Sequence, residues 1–366
     1  MTVSVFLVPH IKTLTSIAEV RVVANLDQYA SIDKLPSNIG VYNVPVERKL
    51  APVKDVKAFL ALIRVLLAFK PTVVHSISPK AGLLSMLASW GFRISVRVHV
   101  FTGQVWTTKK GFMRWLLKVA DKRIAAMATD VFVHSPSQRD FLVARGVVNA
   151  ERSGVLGTGS ICGVNTERFT PDEKVRTIVR DEFGTASDSV VCLYLGRLNQ
   201  DKGVLDLASA FAHVAESHPK VELWVVGPDE SDYFQQMLIL FDKAASQVKR
   251  VGFTSTPERF MQAADLFCLP SYREGFGSSV IEAGACGVPA LVSRIYGLTD
   301  AVIEGKTGWM HRAGDVQDLA RQLDYLFTNT TELAVKGKAA REYVETFFAE
   351  EVVTDAMLQF YRKRLS

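Results

Sequence analysis

The stretch PSYREGFGSSVIEAGACGVP, Pro270 to Pro289, decides the fold. A short apolar run, Asp265-Leu266-Phe267-Cys268-Leu269, precedes it, and Ala290-Leu291-Val292-Ser293 follows it; each has the length of a buried strand. Between them, Ser278 to Cys286 place small and apolar residues at helical spacing, and Gly287-Val288-Pro289 stops the pattern. The order strand, glycine loop, helix, strand predicts a parallel α/β sheet. In such a sheet the loop and the helix N-terminus lie at the carboxyl edge, where ligands bind. The backbone N–H groups of Phe276, Gly277, Ser278 and Ser279 are expected to point at that ligand, and they favour an anion.

Two carboxylates frame the loop. Glu274 stands just before the glycines, and Glu282 lies four residues after Ser278, on the same helical face. A carboxylate suits an anion poorly but accepts well from sugar hydroxyls. A nucleotide sugar has a diphosphate, a ribose diol and a hexose. The pattern therefore places phosphate on the N–H groups, hexose hydroxyls on Glu274 and the ribose on Glu282. The plainer reading is a solvated loop with a surface pair between Arg273 and Glu274.

The spacing Glu274-x7-Glu282, with Gly275-Phe276-Gly277 inside it, resembles the signature of the retaining glycosyltransferases of family 4. That resemblance implies the GT-B fold, an α/β architecture of two Rossmann-like domains whose parallel sheets face a central cleft. It implies an N-terminal acceptor-binding domain over residues 1–168, completed by a C-terminal helix at about 350–366, and a donor-binding domain over 169–349. It also implies retention of anomeric configuration, with no metal and no cofactor beyond the nucleotide-sugar co-substrate. The donor set extends from Glu274, Gly275, Phe276, Gly277, Ser278, Ser279 and Glu282 to Arg197, Lys202 and Val251. Arg197 and Lys202 fall in Gly196-Arg197…Lys202-Gly203, which matches the family's Gly-Arg…Lys-Gly motif. Two fixed cations at a sheet edge can neutralise a departing diphosphate. Arg250-Val251-Gly252-Phe253-Thr254 resembles the stretch whose backbone contacts the nucleobase.

The chain of 366 residues suits two domains, and 48% hydrophobic and 22% charged residues are those of a globular protein. The four cysteines contain no C-x-x-C pair, which predicts free thiols in a reducing cytosol, and the seven histidines contain no H-x-x-x-H metal spacing. Met1 runs directly into the apolar Val3 to Val8, without the pattern of a signal peptide. No apolar run reaches the roughly 20 residues that span a bilayer. Residues 1–170 hold 22 Lys and Arg against 10 Asp and Glu, whereas residues 171–366 hold 21 against 28. A basic half joined to an acidic half predicts an anionic surface as partner. No nucleic-acid motif accompanies the dispersed cations, so nucleic acid is not expected and inner-leaflet lipid is.

In the basic half, Val3 to Val8 is expected to be a first strand and Pro9 to Thr13 a loop, without the Gly-Gly pair found in many relatives. Val56 to Phe69 predicts a core-facing helix with its stripe at Phe59, Leu60, Ile63, Leu66 and Leu67. His99 is expected at the carboxyl end of a strand, followed by Thr102, Gln104 and Trp106, residues suited to gripping a sugar. This stretch resembles the acceptor-side loop of enzymes that build O-antigen, capsule or other lipid-linked glycans. The resemblance makes His99 a catalytic candidate beside Arg197, Lys202 and Glu274. Lys109 to Lys118 mixes cations with Phe112, Met113, Trp115, Leu116 and Leu117, a composition for lying on anionic headgroups.

The expected activity is transfer of a hexose, of the N-acetylhexosamine or a related class, from a nucleotide donor to a lipid-linked glycan acceptor. The resemblance favours UDP over GDP as the nucleotide. The expected location is cytoplasmic and peripheral, on the inner face of the membrane. The rivals are a nucleotide-sugar 2-epimerase of the same fold, a transferase with a soluble acceptor, and a non-catalytic sugar-nucleotide-binding subunit. The last is disfavoured because Arg197, Lys202, Glu274 and Glu282 are all present.

Overall fold

The structure, a computed structural model, describes residues 3–26, 35–47 and 51–366. The chain forms two compact units, one of residues 1–163 with 350–366 and one of residues 164–349. The break falls before Val164, not after Arg168, because Val164 is buried in the core of the second unit and its N–H donates to the Phe348 carbonyl at 2.8 Å.

In the first unit, Val3–Leu7 forms a π-helical turn leading into α1 (Val8–Leu14). The expected first strand and loop are therefore helical. Pro9 has no N–H for a ladder and presets φ for a first helical turn, and a short apolar run alone does not distinguish strand from helix. The pair β1 (Arg21–Ala24) and β2 (Gly40–Asn43) is parallel. Then come α2 (Pro52–Phe69), β3 (Val73–Ile77), α3 (Pro79–Gly91), β4 (Val96–Phe101), α4 (Gly111–Met127), β5 (Asp130–Val133), α5 (Pro136–Ala144) and β6 (Ser153–Val155). Strands β3-β4-β5-β6 form one parallel sheet in sequence order. Helix α2 buries Ala58, Leu62 and Leu66, while Leu60 and Leu67 are exposed, so the stripe is rotated from the expected one.

The second unit contains α6 (Glu173–Glu182), β7 (Val190–Leu195), α7 (Val204–Ala215), β8 (Val221–Val226), α8 (Tyr233–Phe241), β9 (Val248–Val251), α9 (Pro257–Ala263) and β10 (Leu266–Leu269). It continues with α10 (Ser278–Ala285), β11 (Ala290–Ser293), α11 (Leu298–Ala301), β12 (Gly308–His311), α12 (Val316–Thr328) and α13 (Thr331–Phe347). All six strands are parallel, in the order β12-β11-β10-β7-β8-β9. Counted within the unit, this is the doubly wound order 3-2-1-4-5-6. The order reverses between β7 and β10, which pair directly. Strands covered on both faces read as apolar runs, as in Val190 to Leu195 and Leu266 to Leu269. Cys192, Cys268 and Cys286 are buried free thiols, and Cys162 is half-buried.

The last helix, α14 (Glu350–Leu365), belongs to the first unit. Its Met357 and Tyr361 pack with Val98, Val100 and Phe132 of the sheet, and the Tyr361 hydroxyl lies 2.8 Å from His75 Nδ1. Among the described residues, no helix is long and apolar enough to cross a membrane.

Candidate active site

The carboxyl ends of β7 and β10 flank the reversal point of the second sheet, and both candidate loops begin there. The β7 loop runs from Gly196 to Gly203 and the β10 loop from Pro270 to Gly277. They lie against each other: the Tyr272 N–H donates to the Asp201 carbonyl at 2.9 Å. A Cβ on Gly203, whose φ is +66°, would stand 2.0 Å from the Pro270 carbonyl oxygen. Only glycine combines that approach with that φ. Gly297, before α11, likewise passes within contact of Gly275.

This contact sets the charge pairing. Lys202 Nζ bonds to Glu274 Oε1, and the same oxygen accepts from Ser271 Oγ at 2.9 Å. Arg197 donates from an NH1 group to Glu230 Oε1 at 2.5 Å, and Glu230 Oε2 accepts from Asn199 at 2.8 Å. The Arg197 carbonyl is held by the hydroxyl of the buried Tyr194 at 2.8 Å. The surface pair of Arg273 with Glu274, the plainer alternative, is not among the ion pairs of the described residues. Arg273 reaches Asp201 at 2.6 Å instead, because the β7 loop supplies a nearer carboxylate. Lys202 and Glu274, two of the expected donor residues, are thus drawn together by loops 72 residues apart in sequence.

Helix α10 starts at this cluster. Phe276 anchors it, buried with its ring 5.3 Å from that of Phe348. The Ser278 N–H donates to the Phe276 carbonyl at 3.0 Å, so the turn itself occupies one of the four donors expected for an anion. Among the described residues no acceptor is found for the N–H groups of Phe276, Gly277 and Ser279. Glu282 is half-buried, and its carboxylate has no hydrogen-bond partner among the described residues. Burial pushes its carboxyl up to about 7; Arg168 opposes this rise and Glu258 adds to it. Arg168 itself is held by Glu258 at 2.7 Å. The Val251 carbonyl accepts from the Gly227 N–H at 3.1 Å and from Arg250.

The acceptor-side expectations fare differently. His99 lies within β4, not at its carboxyl end, and is fully buried. Its Nδ1 is 2.8 Å from Ser76 Oγ, its ring meets Phe101 edge-on, and the Gly82 backbone packs on it. Burial, and then the neighbouring His75 and His134, lower its pKa to about 3. Trp106 is fully buried, with Nε1 donating to Asp121 at 2.8 Å and its ring stacked on Phe141. Gln104 is buried, donating to the Thr102 carbonyl at 2.7 Å and accepting from Gln138 at 3.1 Å. These three side chains are core, and only Thr102 is half-buried. The sugar-gripping reading of His99, Gln104 and Trp106 is corrected: the strand runs two residues beyond His99, and the following turn tucks Trp106 inward. Glu230 joins the site without a signal in the sequence, and Asn199, although inside the Gly196-to-Gly203 stretch, is not one of its matched positions.

Two family descriptions match the chain: "Glycosyl transferases group 1" over residues 175–343 and "Glycosyl transferase 4-like domain" over residues 16–159. The capsular polysaccharide biosynthesis glycosyltransferase CapM of Staphylococcus aureus is 29% identical over 330 residues, spanning 87% of this chain and 83% of the relative. A UDP-Gal:alpha-D-GlcNAc-diphosphoundecaprenol alpha-1,3-galactosyltransferase of Escherichia coli is 24% identical, spanning 80% of this chain and 76% of the relative. The structure of sucrose-phosphate synthase from Thermosynechococcus elongatus superposes with a TM-score of 0.81 at 22% identity, over 97% of this chain and 92% of that one.

Proposed function

From the premise that this chain belongs to the GT-B glycosyltransferases of the group 1 and 4-like families, we propose that it is a retaining hexosyltransferase of bacterial surface-polysaccharide synthesis. The donor is a UDP-linked hexose of the N-acetylhexosamine or a related class, and the acceptor is a lipid-linked glycan. One observation supports the reading: at the reversal point of the second sheet Lys202 pairs with Glu274, and Arg197 stands on the same β7 loop as Lys202. The kinship to the Escherichia coli transferase, whose name gives UDP-Gal and a diphosphoundecaprenol acceptor, supports the choice of nucleotide and of acceptor class.

The donor diphosphate lies between Arg197 and Lys202, with free N–H groups at the start of α10 taking further oxygens. Glu274, steadied by Lys202 and Ser271, has a second oxygen for the hexose hydroxyls. Glu282 accepts from the ribose diol. The transition state has an oxocarbenium-like sugar beside a departing diphosphate, and catalysis is chiefly stabilisation of that leaving group. Two cations fixed by ion pairs supply the charge, so no metal is needed. A glycosidase retains configuration with a carboxylate nucleophile; Glu274, engaged with Lys202, is used here for grip instead. The acceptor attacks on the face that the nucleotide leaves. His99 contributes through its bond to Ser76 and its packing under Gly82, as a support and not as a contact.

The acceptor is reached at a membrane surface. The first unit exposes Phe112, Met113 and Trp115 of α4 together with Trp90 of α3 and Val56 of α2, and Phe112 stacks on Trp115 at 5.6 Å. Lys109, Lys110, Arg114, Lys118, Lys122 and Arg123 stand on or beside α4 in the chain. Partial desolvation and the crowding of Lys122, Arg145 and Arg114 lower the Lys118 pKa. Exposed apolar rings among cations fit an anionic lipid surface.

The test is direct. Radiolabelled sugar from a panel of UDP- and GDP-hexoses is offered with membrane lipid extracts, and label in the lipid fraction is counted with and without EDTA. Transfer from one UDP-hexose that survives EDTA is expected, with Lys202→Ala losing about 2–4 kcal/mol of transition-state stabilisation. Interconversion of the free nucleotide sugar without transfer would point to the epimerase instead.

A further inference from the structure

We propose that Glu230 is a charge placeholder for the donor diphosphate: it holds Arg197 before the donor binds and yields it to the incoming phosphates. The inference rests on the reading of Arg197 as a diphosphate ligand and adds a residue that no motif marks.

Glu230 is held in place by its backbone. The ends of β7 and β8 are zipped together: Leu198 N–H donates to the Pro228 carbonyl at 2.8 Å, and Glu230 N–H to the Leu198 carbonyl at 3.2 Å. A Cβ on Gly227, with φ of +133°, would lie 2.0 Å from the Gly196 carbonyl oxygen, which measures how closely the two ends approach. Asp229 caps the start of α8 by accepting from the N–H groups of Tyr233 and Phe234, both at 2.9 Å. The carboxylate of Glu230 then projects from a fixed loop and uses one oxygen for Arg197 at 2.5 Å and the other for Asn199 at 2.8 Å.

The two cation–carboxylate pairs of the site differ in depth. The side chains of Lys202 and Glu274 are 19% and 14% exposed, and Ser271 braces the carboxylate. Those of Arg197 and Glu230 are 34% and 37% exposed, so the outer pair opens at lower cost. A guanidinium binds phosphate in the same forked manner as carboxylate. Exchange of one anion for the other keeps Arg197 paired throughout, and the released Glu230 is exposed enough to be hydrated. Asn199, freed at the same time, has an amide to donate to the ligand. The cost of displacing Glu230 weakens nucleotide binding, and its return to Arg197 hastens departure of the product nucleotide.

The probe is UDP alone, titrated calorimetrically into wild type, Glu230→Gln, Arg197→Ala and the double variant, with stopped-flow release rates. Glu230→Gln is expected to bind UDP about two- to fivefold more tightly, the range of a partly exposed charge pair. Its release is slower, and the gain shrinks at high salt. In the Arg197→Ala background the gain disappears, since nothing remains to be held. Unchanged or weaker UDP binding by Glu230→Gln, or a gain that persists without Arg197, overturns the placeholder. If Arg197→Ala weakens UDP binding while Glu230→Gln does not tighten it, the placeholder alone fails. If Arg197→Ala leaves UDP affinity intact, the assignment of Arg197 to the diphosphate fails with it. Arg197→Lys, which keeps the charge and loses the fork, replaces the alanine variant if that does not fold.

Discussion

Glu282 shows how one side chain can be read twice, by stability and by ligand. Its folded pKa is raised to about 7 by burial, so the folded chain holds a proton that the unfolded chain has released. The stabilising contribution is present below its ordinary pKa and is lost as pH rises from about 4.5 towards 7, at no more than one proton, or about 1.4 kcal/mol per pH unit. Glu282→Gln is expected to flatten that slope in urea titrations of the second unit and to weaken UDP binding. Glu274→Gln is expected to spare UDP and to weaken only the intact donor. Equal losses for both ligands in both variants would sink the division of labour. Gly203 offers a second residue-scale test. A Cβ there meets the Pro270 carbonyl at 2.0 Å in a left-handed backbone, so Gly203→Ala is expected to cost about 1–3 kcal/mol in denaturant unfolding. Because the same contact brings Lys202 to Glu274, transfer falls with it; wild-type stability in this variant would show that the loops do not need the contact.

At the scale of elements, α10 and α4 carry the two halves of the reading. Helix α10 is only Ser278–Ala285, yet it is fixed by Phe276 at its entry and by Gly284, which brings it against Ala340 and Val344 of α13. A short helix held at both ends can present its first N–H groups without a side-chain cap. Helix α4 buries only Asp121 and Ile124 completely, and its remaining apolar side chains are exposed or half-buried. Each cation near an anionic leaflet contributes about 1 kcal/mol and is screened by salt. The protein is therefore expected to float with anionic liposomes at low salt and not with zwitterionic ones. Replacing Lys109, Lys110 and Arg114 with Glu is expected to abolish flotation while UDP binding persists. A protein that ignores anionic vesicles at low salt overturns the membrane reading and favours a soluble acceptor.

At the scale of the whole molecule, the two units differ in how they hold protons. The first unit holds four imidazoles out of water, with His10, His99 and His134 buried and His75 half-buried. Burial is the leading cause of a lowered pKa in each, down to about 4 for His75 and about 3 for His134. Such groups are charged in the unfolded chain at a pH where the folded chain keeps them neutral. Their contribution is complete above about 6.5 and is lost as pH falls. Asp121, raised to about 7 by burial, and Glu350, raised by burial and by Glu351, work in the opposite direction but are fewer than the four imidazoles. In the second unit the raised Glu282 and the lowered His311 oppose each other. Between pH 6.5 and 4.5 the first unit is expected to lose stability steeply and the second much less. Hydrogen exchange followed on β4 and β5 against β7 and β8 at both pH values measures this, and His134→Gln should remove about one proton from the slope. Loss of protection in the second unit first would contradict it.

The second unit is legible in its own residues: the apolar strands, the glycine loops that end them and the helix that starts at Ser278. Those signals are local, because strand and helix periods and glycine's backbone freedom act within a few residues. Spacing within single loops and one helix also singled out Arg197, Lys202, Glu274 and Glu282 as candidates. Which charges pair is a matter of the folded chain alone. Lys202 meets Glu274 across 72 residues and Arg197 meets Glu230 across 33, and no local pattern distinguishes Glu230 from any other acidic loop residue. The same holds for burial. His99 and Trp106 read as ligand-gripping side chains until the strand, the turn and α3 close over them. Val3 to Thr13 read as strand and loop until the segment coils and the adjoining Leu14 packs against the cluster that holds Tyr361 of α14. Burial depends on elements far apart in the chain, and an apolar or aromatic residue looks the same in sequence whether a ligand or the protein's own backbone covers it.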